Sequence, residues 1–213
     1  MPQIAISFDH PADYSRHSFI VSRSNEEALK WVESWPNWNS HCVIIYGPES
    51  CGKTHLAKIW QDISAAEFCH PAGARSAILR GQNLIIENIE SNLDEEWLFH
   101  LYNQAKNDGK FILLTANAHP AKLPIKLPDL RSRLLSCPSI AINQPDDDLL
   151  RPVLQKLFTD RQIRAGDDVM KYILLRMERS FKSAENLVQK IDNLALQEKR
   201  NITIPLVKQA MEI

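Results

Sequence analysis

No stretch of this 213-residue sequence leaves fewer options than Gly47-Pro48-Glu49-Ser50-Cys51-Gly52-Lys53-Thr54. It has the spacing G-x-x-x-x-G-K-[ST]. The two glycines let the backbone curl so that successive N–H groups point inward at phosphate oxygens. A helix starting at Thr54 adds its positive N-terminal end. Lys53 reaches the β and γ phosphates, and the Thr54 hydroxyl completes a Mg²⁺ shell. Only the backbone of Cys51 is needed, so its thiol reads as a tolerated small residue. The candidate nucleotide-binding run is Gly47, Pro48, Glu49, Ser50, Cys51, Gly52, Lys53, Thr54 and His55, with ADP or ATP and Mg as expected cofactors.

The motif requires a strand before it and a helix after it, and the sequence supplies both. Cys42-Val43-Ile44-Ile45-Tyr46 is a short apolar run rich in β-branched residues, which predicts a buried strand. Thr54 to Ile63 carries Leu56, Ile59, Trp60 and Ile63 at helical spacing. Upstream, Ser24 and Glu27 form a capping-box pattern for a helix near Asn25 that Pro36 ends. Downstream, strands are expected at 83–86, 110–115 and 139–142, and helices at 94–107 and 128–134. Residues 64–82 show no clear period. Strands alternating with helices argue for a parallel sheet with crossover helices.

After Pro145 the character changes. Segments 146–160, 167–177, 182–197 and 205–211 all read as helices. The expected division is an N-terminal segment 1–18, an α/β nucleotide-binding domain 19–145 and a helical lid 146–213. With 44% hydrophobic residues the chain can bury a substantial core. Lys and Arg number 25 against 26 Asp and Glu, a formal net charge of −1. That excludes gripping nucleic acid through bulk positive charge, so no direct sequence-specific DNA binding is expected. No run of about 18 apolar residues predicts a membrane span. The start Met1-Pro2-Gln3-Ile4 does not read as a signal peptide. Cys42, Cys51, Cys69 and Cys137 form no C-x-x-C pair, so zinc is not expected. Their scatter fits reduced thiols and a cytoplasmic location.

Three further positions carry possible chemistry. Asn83-Leu84-Ile85-Ile86-Glu87-Asn88 is an apolar strand ending in an acid, the pattern that holds Mg²⁺ through water. Asn88 follows, where an acid would orient attacking water; an amide cannot accept a proton, which predicts slow intrinsic hydrolysis. Asn117, just past the strand Phe111–Thr115, is placed to touch a γ-phosphate or to open a turn before Pro120. Leu127-Pro128-Asp129-Leu130-Arg131-Ser132-Arg133-Leu134 puts two arginines on one short element. They are either solvated or offered to a neighbour's nucleotide. In the lid, Ser180 is a candidate N-cap, and Lys182 is either a first-turn surface lysine or a phosphate contact.

Taken in order, these motifs resemble the AAA+ ATPases, and within them the DnaA/Hda family of replication initiators and their shortened regulatory relatives. The telling segments are GPESCGKTHL, LIIENIE, LFHLYNQAKNDGKFILLTANAHP, LPDLRSRL, RSFKSAENLVQKID and ITIPLVKQAM. The resemblance implies an AAA+ P-loop NTPase fold, α/β with a parallel sheet plus a C-terminal helical lid. Two features resemble the inactivator branch, Hda. The sequence stops where the lid ends, so no helix-turn-helix domain is expected. Gln3-Ile4-Ala5-Ile6-Ser7-Phe8 is similar to the Q-x-x-[LI]-x-F peptides that plug into the sliding clamp, the β subunit of DNA polymerase III. There Gln3 would bond at the pocket rim, Ile4 would belong to the same peptide, and Ile6 and Phe8 would fill apolar holes.

Carried over, Arg133 is implied as an arginine finger supplied in trans to ATP on DnaA, Asn117 as a first sensor and Lys182 as a second. Thr54 and Glu87 are implied as the Mg²⁺ positions. Several positions depart from the family pattern. Asp129 stands where the initiator has another arginine, Glu87 and Asn88 replace paired aspartates, and 64–82 looks abbreviated. The implied function is inactivation of DnaA by clamp-docked stimulation of its ATP hydrolysis, with weak intrinsic ATPase and possible homodimers. The alternatives are a helicase-loader or clamp-loader-like subunit and an autonomous P-loop ATPase.

Overall fold

The computed structural model describes residues 13–69, 82–91, 93–145 and 147–212. It divides into two units, one running from Tyr14 to Asn143 and the other built from Gln144 onward. Gln3, Ile4, Ile6 and Phe8 lie outside the described residues, as does most of the aperiodic stretch 64–82.

The first unit is organised by strands that are apolar on both faces. They are β1 (Cys42–Tyr46), β2 (Glu67–Phe68), β3 (Leu84–Ile86), β4 (Ile112–Ala116) and β5 (Ser139–Ala141). All pairings are parallel, in the order β2-β3-β4-β1-β5. β1, β3 and β4 are buried almost throughout, as crossover helices on both sides of a sheet require. Side chains alternate between faces. Cys42, Ile44, Leu84, Ile86, Ile112 and Leu114 join one core with Leu98 and Leu101 of α3 (Glu95–Asn107) and Leu130 and Leu134 of α4 (Pro128–Ser136). Against β5 and β4 pack, respectively, α1 (Glu26–Glu33) and α2 (Lys53–Ser64). Below them Trp38 stacks on Trp60 with ring centroids 5.1 Å apart, and Phe111 meets Trp38 edge-on.

The sheet order explains where chemistry can gather. From β1 the chain crosses to the far edge, returns through β3 and β4, and then passes to the other side of β1 as β5. The carboxyl ends of β1, β3 and β4 are therefore neighbours at a topological switch point, where ligands bind in sheets of this kind.

The second unit holds α5 (Asp147–Asp160), α6 (Asp167–Arg176), α7 (Phe181–Glu198) and α8 (Ile204–Glu212). Their apolar stripes meet in a separate core that includes Leu150, Leu154, Ile173, Val188, Ile191 and Leu206. Ser180 caps α7, its hydroxyl oxygen accepting from the Ser183 N–H at 3.0 Å. No described helix is long and apolar enough to cross a membrane.

Two local expectations are corrected. The Ser24/Glu27 capping box does not form. Asn25 occupies the N-cap of α1 without a side-chain cap, and its amide instead accepts from Ser22 N–H and donates to the Ile20 carbonyl. The Ser24 hydroxyl pairs with that of Ser22. The side chains bond back into the approaching loop, an alternative these residue types always offer. Within 64–82 there is a strand, β2; at two residues it is too short to show a period. Leu114 is fully buried at the centre of the sheet. Leu114→Ala should lower unfolding free energy by about 2–5 kcal/mol, read as a shifted urea midpoint at unchanged slope.

Candidate functional site

The phosphate loop runs from the end of β1 into α2. Gly47 is buried, and a Cβ there would sit 2.6 Å from the Ile142 carbonyl oxygen, so nothing larger than glycine fits. Gly52 has φ +98°, a conformation glycine adopts without strain, and it opens α2. These are the two glycines that the motif requires, each with its own reason.

Lys53 is only 6% exposed, yet its ammonium is fully partnered. Its Nζ donates to the carbonyls of Gly47 and Pro48 and to Asn117 Oδ1, each at 2.9 Å. All three of its donors are thereby used, which is what allows a charge to sit there. Thr54 Oγ1 donates to Glu87 Oε1 at 2.6 Å. The structure thus brings Lys53, Thr54, Glu87 and Asn117 together from β1, β3 and β4. Their chemistry fits a nucleotide: a curled backbone, one cation, and a hydroxyl beside a carboxylate, the hard oxygen donors that Mg²⁺ takes.

Other predicted residues stand differently. Cys51 is buried against the loop, and burial pushes its thiol up despite the neighbouring Lys53 charge. Glu49 and Ser50 are exposed, Ser50 at φ 60°. His55 turns toward the preceding chain: its Nε2 lies 2.9 Å from the Ser15 carbonyl oxygen, and its ring meets Tyr14 and Phe19 edge-on. Asn88 is exposed at φ 52°, its N–H donating to Thr115 Oγ1. Lys182 is exposed in the first turn of α7, in the second unit.

Glu90, the second acid of LIIENIE, was not singled out by sequence. Its Oε1 accepts from the Asn117 N–H at 3.1 Å, while its Oε2 is buried with no partner among the described residues. It fixes the backbone of the residue whose side chain holds Lys53. Nothing in the pattern marks it, because the bond joins two loops 27 positions apart.

The arginine-bearing helix is α4. Arg131 is exposed. Arg133 is half-buried, its guanidinium 4.9 Å from the Phe99 ring centroid and 5.4 Å from that of Tyr102, both on α3. Stacking engages the face of the guanidinium and leaves its edge donors. At the start of α4, the Glu95 carboxylate accepts from Lys126 N–H through both oxygens at 3.0 Å and from Leu127 N–H at 2.6 Å. Those bonds hold its carboxyl below the usual range. At the other end Cys137 Sγ donates to the Arg133 carbonyl at 3.2 Å. A hydrogen bond to Cys137 and burial raise the Cys42 thiol, while bonds from Cys42 and Tyr102 lower that of Cys137 against the effect of burial. Tyr102 is pushed up to about 12, chiefly by burial.

Residues 146–211 match the family described as Hda, lid domain. An uncharacterized protein of Haemophilus influenzae is 29% identical over 188 residues, covering 79% of this chain and 80% of its own. The replication initiator DnaA of Nautilia profundicola is 24% identical over 228 residues, covering 94% of this chain but only 52% of its own, so the chain spans about half of that relative. The chain is thus similar to DnaA and, in its C-terminal region, to the Hda lid family. Among solved structures, domain III of Thermotoga maritima DnaA superimposes with TM-score 0.80 at 15% identity, covering 95% of this chain and 97% of that one. AMPPCP-bound DnaA from Aquifex aeolicus gives TM-score 0.67 at 20% identity, covering 89% of this chain and 68% of that one. The AAA+ fold, a parallel sheet with a helical C-terminal region, is therefore the one implied by the sequence motifs.

Two predictions follow from the site's geometry. Gly47→Ala should abolish adenine-nucleotide binding and lower the melting temperature, since its methyl has no room beside Ile142; calorimetry with ADP and a melting scan read both. Because the folded carboxyl of Glu95 is held low, its stabilisation is full above the unfolded value of about 4.3 and is lost as pH falls through the folded one. The melting-temperature gap between the native protein and Glu95→Gln should be present at pH 7 and close progressively in acid.

Proposed function

We propose that this DnaA-related AAA+ protein is a regulator of replication initiation that switches off DnaA by stimulating hydrolysis of its ATP. In this reading Gln3, Ile4, Ile6 and Phe8 dock the protein on a DNA-loaded sliding clamp. ADP or ATP with Mg²⁺ is held by residues 47–54, with Thr54 and Glu87 at the metal and Asn117 near the terminal phosphate. Lys182, in the helical unit, is the second sensor in this reading. Arg133 then reaches the triphosphate on DnaA.

The observation that carries this reading is the state of Arg133. Its guanidinium rests on two aromatic rings and pairs with no carboxylate among the described residues. Its donors stay available for phosphate oxygens, and a cation there neutralises charge that develops on the transferred phosphoryl group. The protein's own site supports the complementary half. Asn88 stands where a proton acceptor would activate water and cannot accept a proton, so the bound nucleotide acts as a structural ligand more than as a substrate. AMPPCP occupies the DnaA of Aquifex aeolicus, which supports a nucleotide in the same cradle here.

A hydrolysis assay of DnaA-ATP with clamp and DNA, with and without this protein, tests the proposal. The native protein should accelerate hydrolysis, by roughly 10³–10⁵ if Arg133 acts as a full arginine finger. Arg133→Ala should lose that acceleration while keeping nucleotide and clamp binding; undiminished stimulation removes Arg133 from the mechanism. The pair Gln3→Ala and Phe8→Ala should lose clamp pull-down with an unchanged melting temperature. Stimulation by a clamp-deficient variant at native levels would make the docking reading wrong. Substantial ATP turnover by the protein alone would favour an autonomous ATPase.

A further inference from the structure

α3 contacts α4 at both of the places that determine where Arg133 sits. The first is the carboxylate of Glu95, in the opening turn of α3. It takes the N–H groups of Lys126 and Leu127, the two residues immediately before α4. An anion at this end of α4 also faces the positive pole of the helix. The second is Tyr102. Its ring lies under the Arg133 guanidinium, and the helix end just beyond is closed by Cys137, the C-cap of α4, whose thiol donates to the carbonyl of Arg133 itself.

The spacing of the two contacts matches on both helices. Glu95 and Tyr102 are two turns apart on one face of α3, about 10 Å along its axis. Leu127 and Arg133 are separated by about 9 Å along α4. A helix held at both ends of that span can neither slide nor rotate without breaking a charge-assisted bond or unstacking the guanidinium. Among the described residues the Glu95 carboxylate bonds only to these two N–H groups: it lies outside the nucleotide cradle, and its partners are backbone groups that any sequence could present. The arrangement therefore does one thing, which is to fix α4.

We propose that Glu95 and Tyr102 are positioning residues for Arg133, one clamping the backbone ahead of α4 and the other supporting the guanidinium with its ring. The inference rests on the reading of Arg133 as the arginine offered to a partner's ATP. A displacement of about 1 Å at a reacting group costs up to about 100-fold in rate. The effect of loosening α4 should thus fall on turnover, while recognition of the partner is left alone.

The test uses the full-length protein in the DnaA-ATP assay with clamp and DNA, over a range of its concentrations. Glu95→Ala and Tyr102→Leu should each lower the maximal stimulated rate roughly tenfold. The concentration giving half-maximal stimulation should stay within about twofold of native. Their own ADP affinity should also match the native value, which a general loss of folding would not allow. Tyr102→Phe keeps the ring and should retain most of the maximal rate. NMR of the Arg133 Nε–Hε pair reads the position directly: its ring-current shift, from Phe99 and Tyr102 together, should persist in Tyr102→Phe and change in Glu95→Ala, which keeps both rings.

Maximal rates within about twofold of native for both loss variants, in a protein whose Arg133→Ala variant is inactive, overturn the positioning role. So does a fall seen only in half-maximal concentration. If Arg133→Ala itself stimulates normally, the arginine-finger reading fails. The NMR shift then decides the positioning alone: an unchanged Arg133 signal in Glu95→Ala overturns it, and a displaced signal supports it.

Discussion

The buried ammonium of Lys53 is the interaction on which the rest of the nucleotide unit depends. A charge 6% exposed is sustainable only when every donor is matched. The three acceptors come from Gly47, Pro48 and Asn117, so one side chain ties the loop after β1 to the end of β4. Glu90 fastens the Asn117 backbone from the β3 side. Those bonds are possible only because β3, β4 and β1 are adjacent and parallel. The cradle is therefore a product of sheet order, and the sheet order is in turn reinforced by the cradle. A nucleotide's phosphates would compete for the same ammonium, and so would act on the link between the two strand ends.

The same sheet supports the arginine helix from the opposite direction. Leu98 and Leu101 of α3 and Leu130 and Leu134 of α4 share the core beneath β1, β3 and β4. With the apolar faces shared, the polar groups of the two helices meet at the edge. Glu95 binds backbone there, Phe99 and Tyr102 face Arg133, and Cys137 closes the helix end. Cys137 sits beside Cys42 because the parallel register that pairs Ile44 with Ser139 runs back by two residues. The thiols serve here as small core groups and weak donors, consistent with four buried and reduced cysteines.

Much of this was legible beforehand. The strand Cys42–Tyr46, the helix following the phosphate loop and the four helices after Pro145 were readable because each carries several apolar residues at a fixed period. The phosphate loop was readable because its chemistry is local. Lys53, Gly47 and Gly52 lie within seven positions, and their spacing is itself the geometry. What escaped was whatever depends on distant partners. Glu90 and Glu95 look like ordinary surface acids until Asn117 and Lys126 are brought beside them. Phe99 and Tyr102 look like core residues of an amphipathic helix, and only the position of α4 turns them toward Arg133. The capping box at Ser24 was misread for the converse reason, since the approaching loop offered Asn25 and Ser24 closer partners than the helix did.

The amino-acid order alone determined that this protein has a phosphate loop between strand and helix, a parallel α/β core and a helical C-terminal region. Those properties follow from periodicity and from backbone freedom at two glycines, and both act over a few residues. The tertiary structure alone decided that Lys53 donates to Asn117, that Thr54 faces Glu87 and that Arg133 rests on rings from another helix. Each of these joins groups tens of positions apart. Their strength depends on distances of 2.6–2.9 Å, or on ring centroids about 5 Å from a guanidinium, which only a packed sheet with a definite strand order can impose.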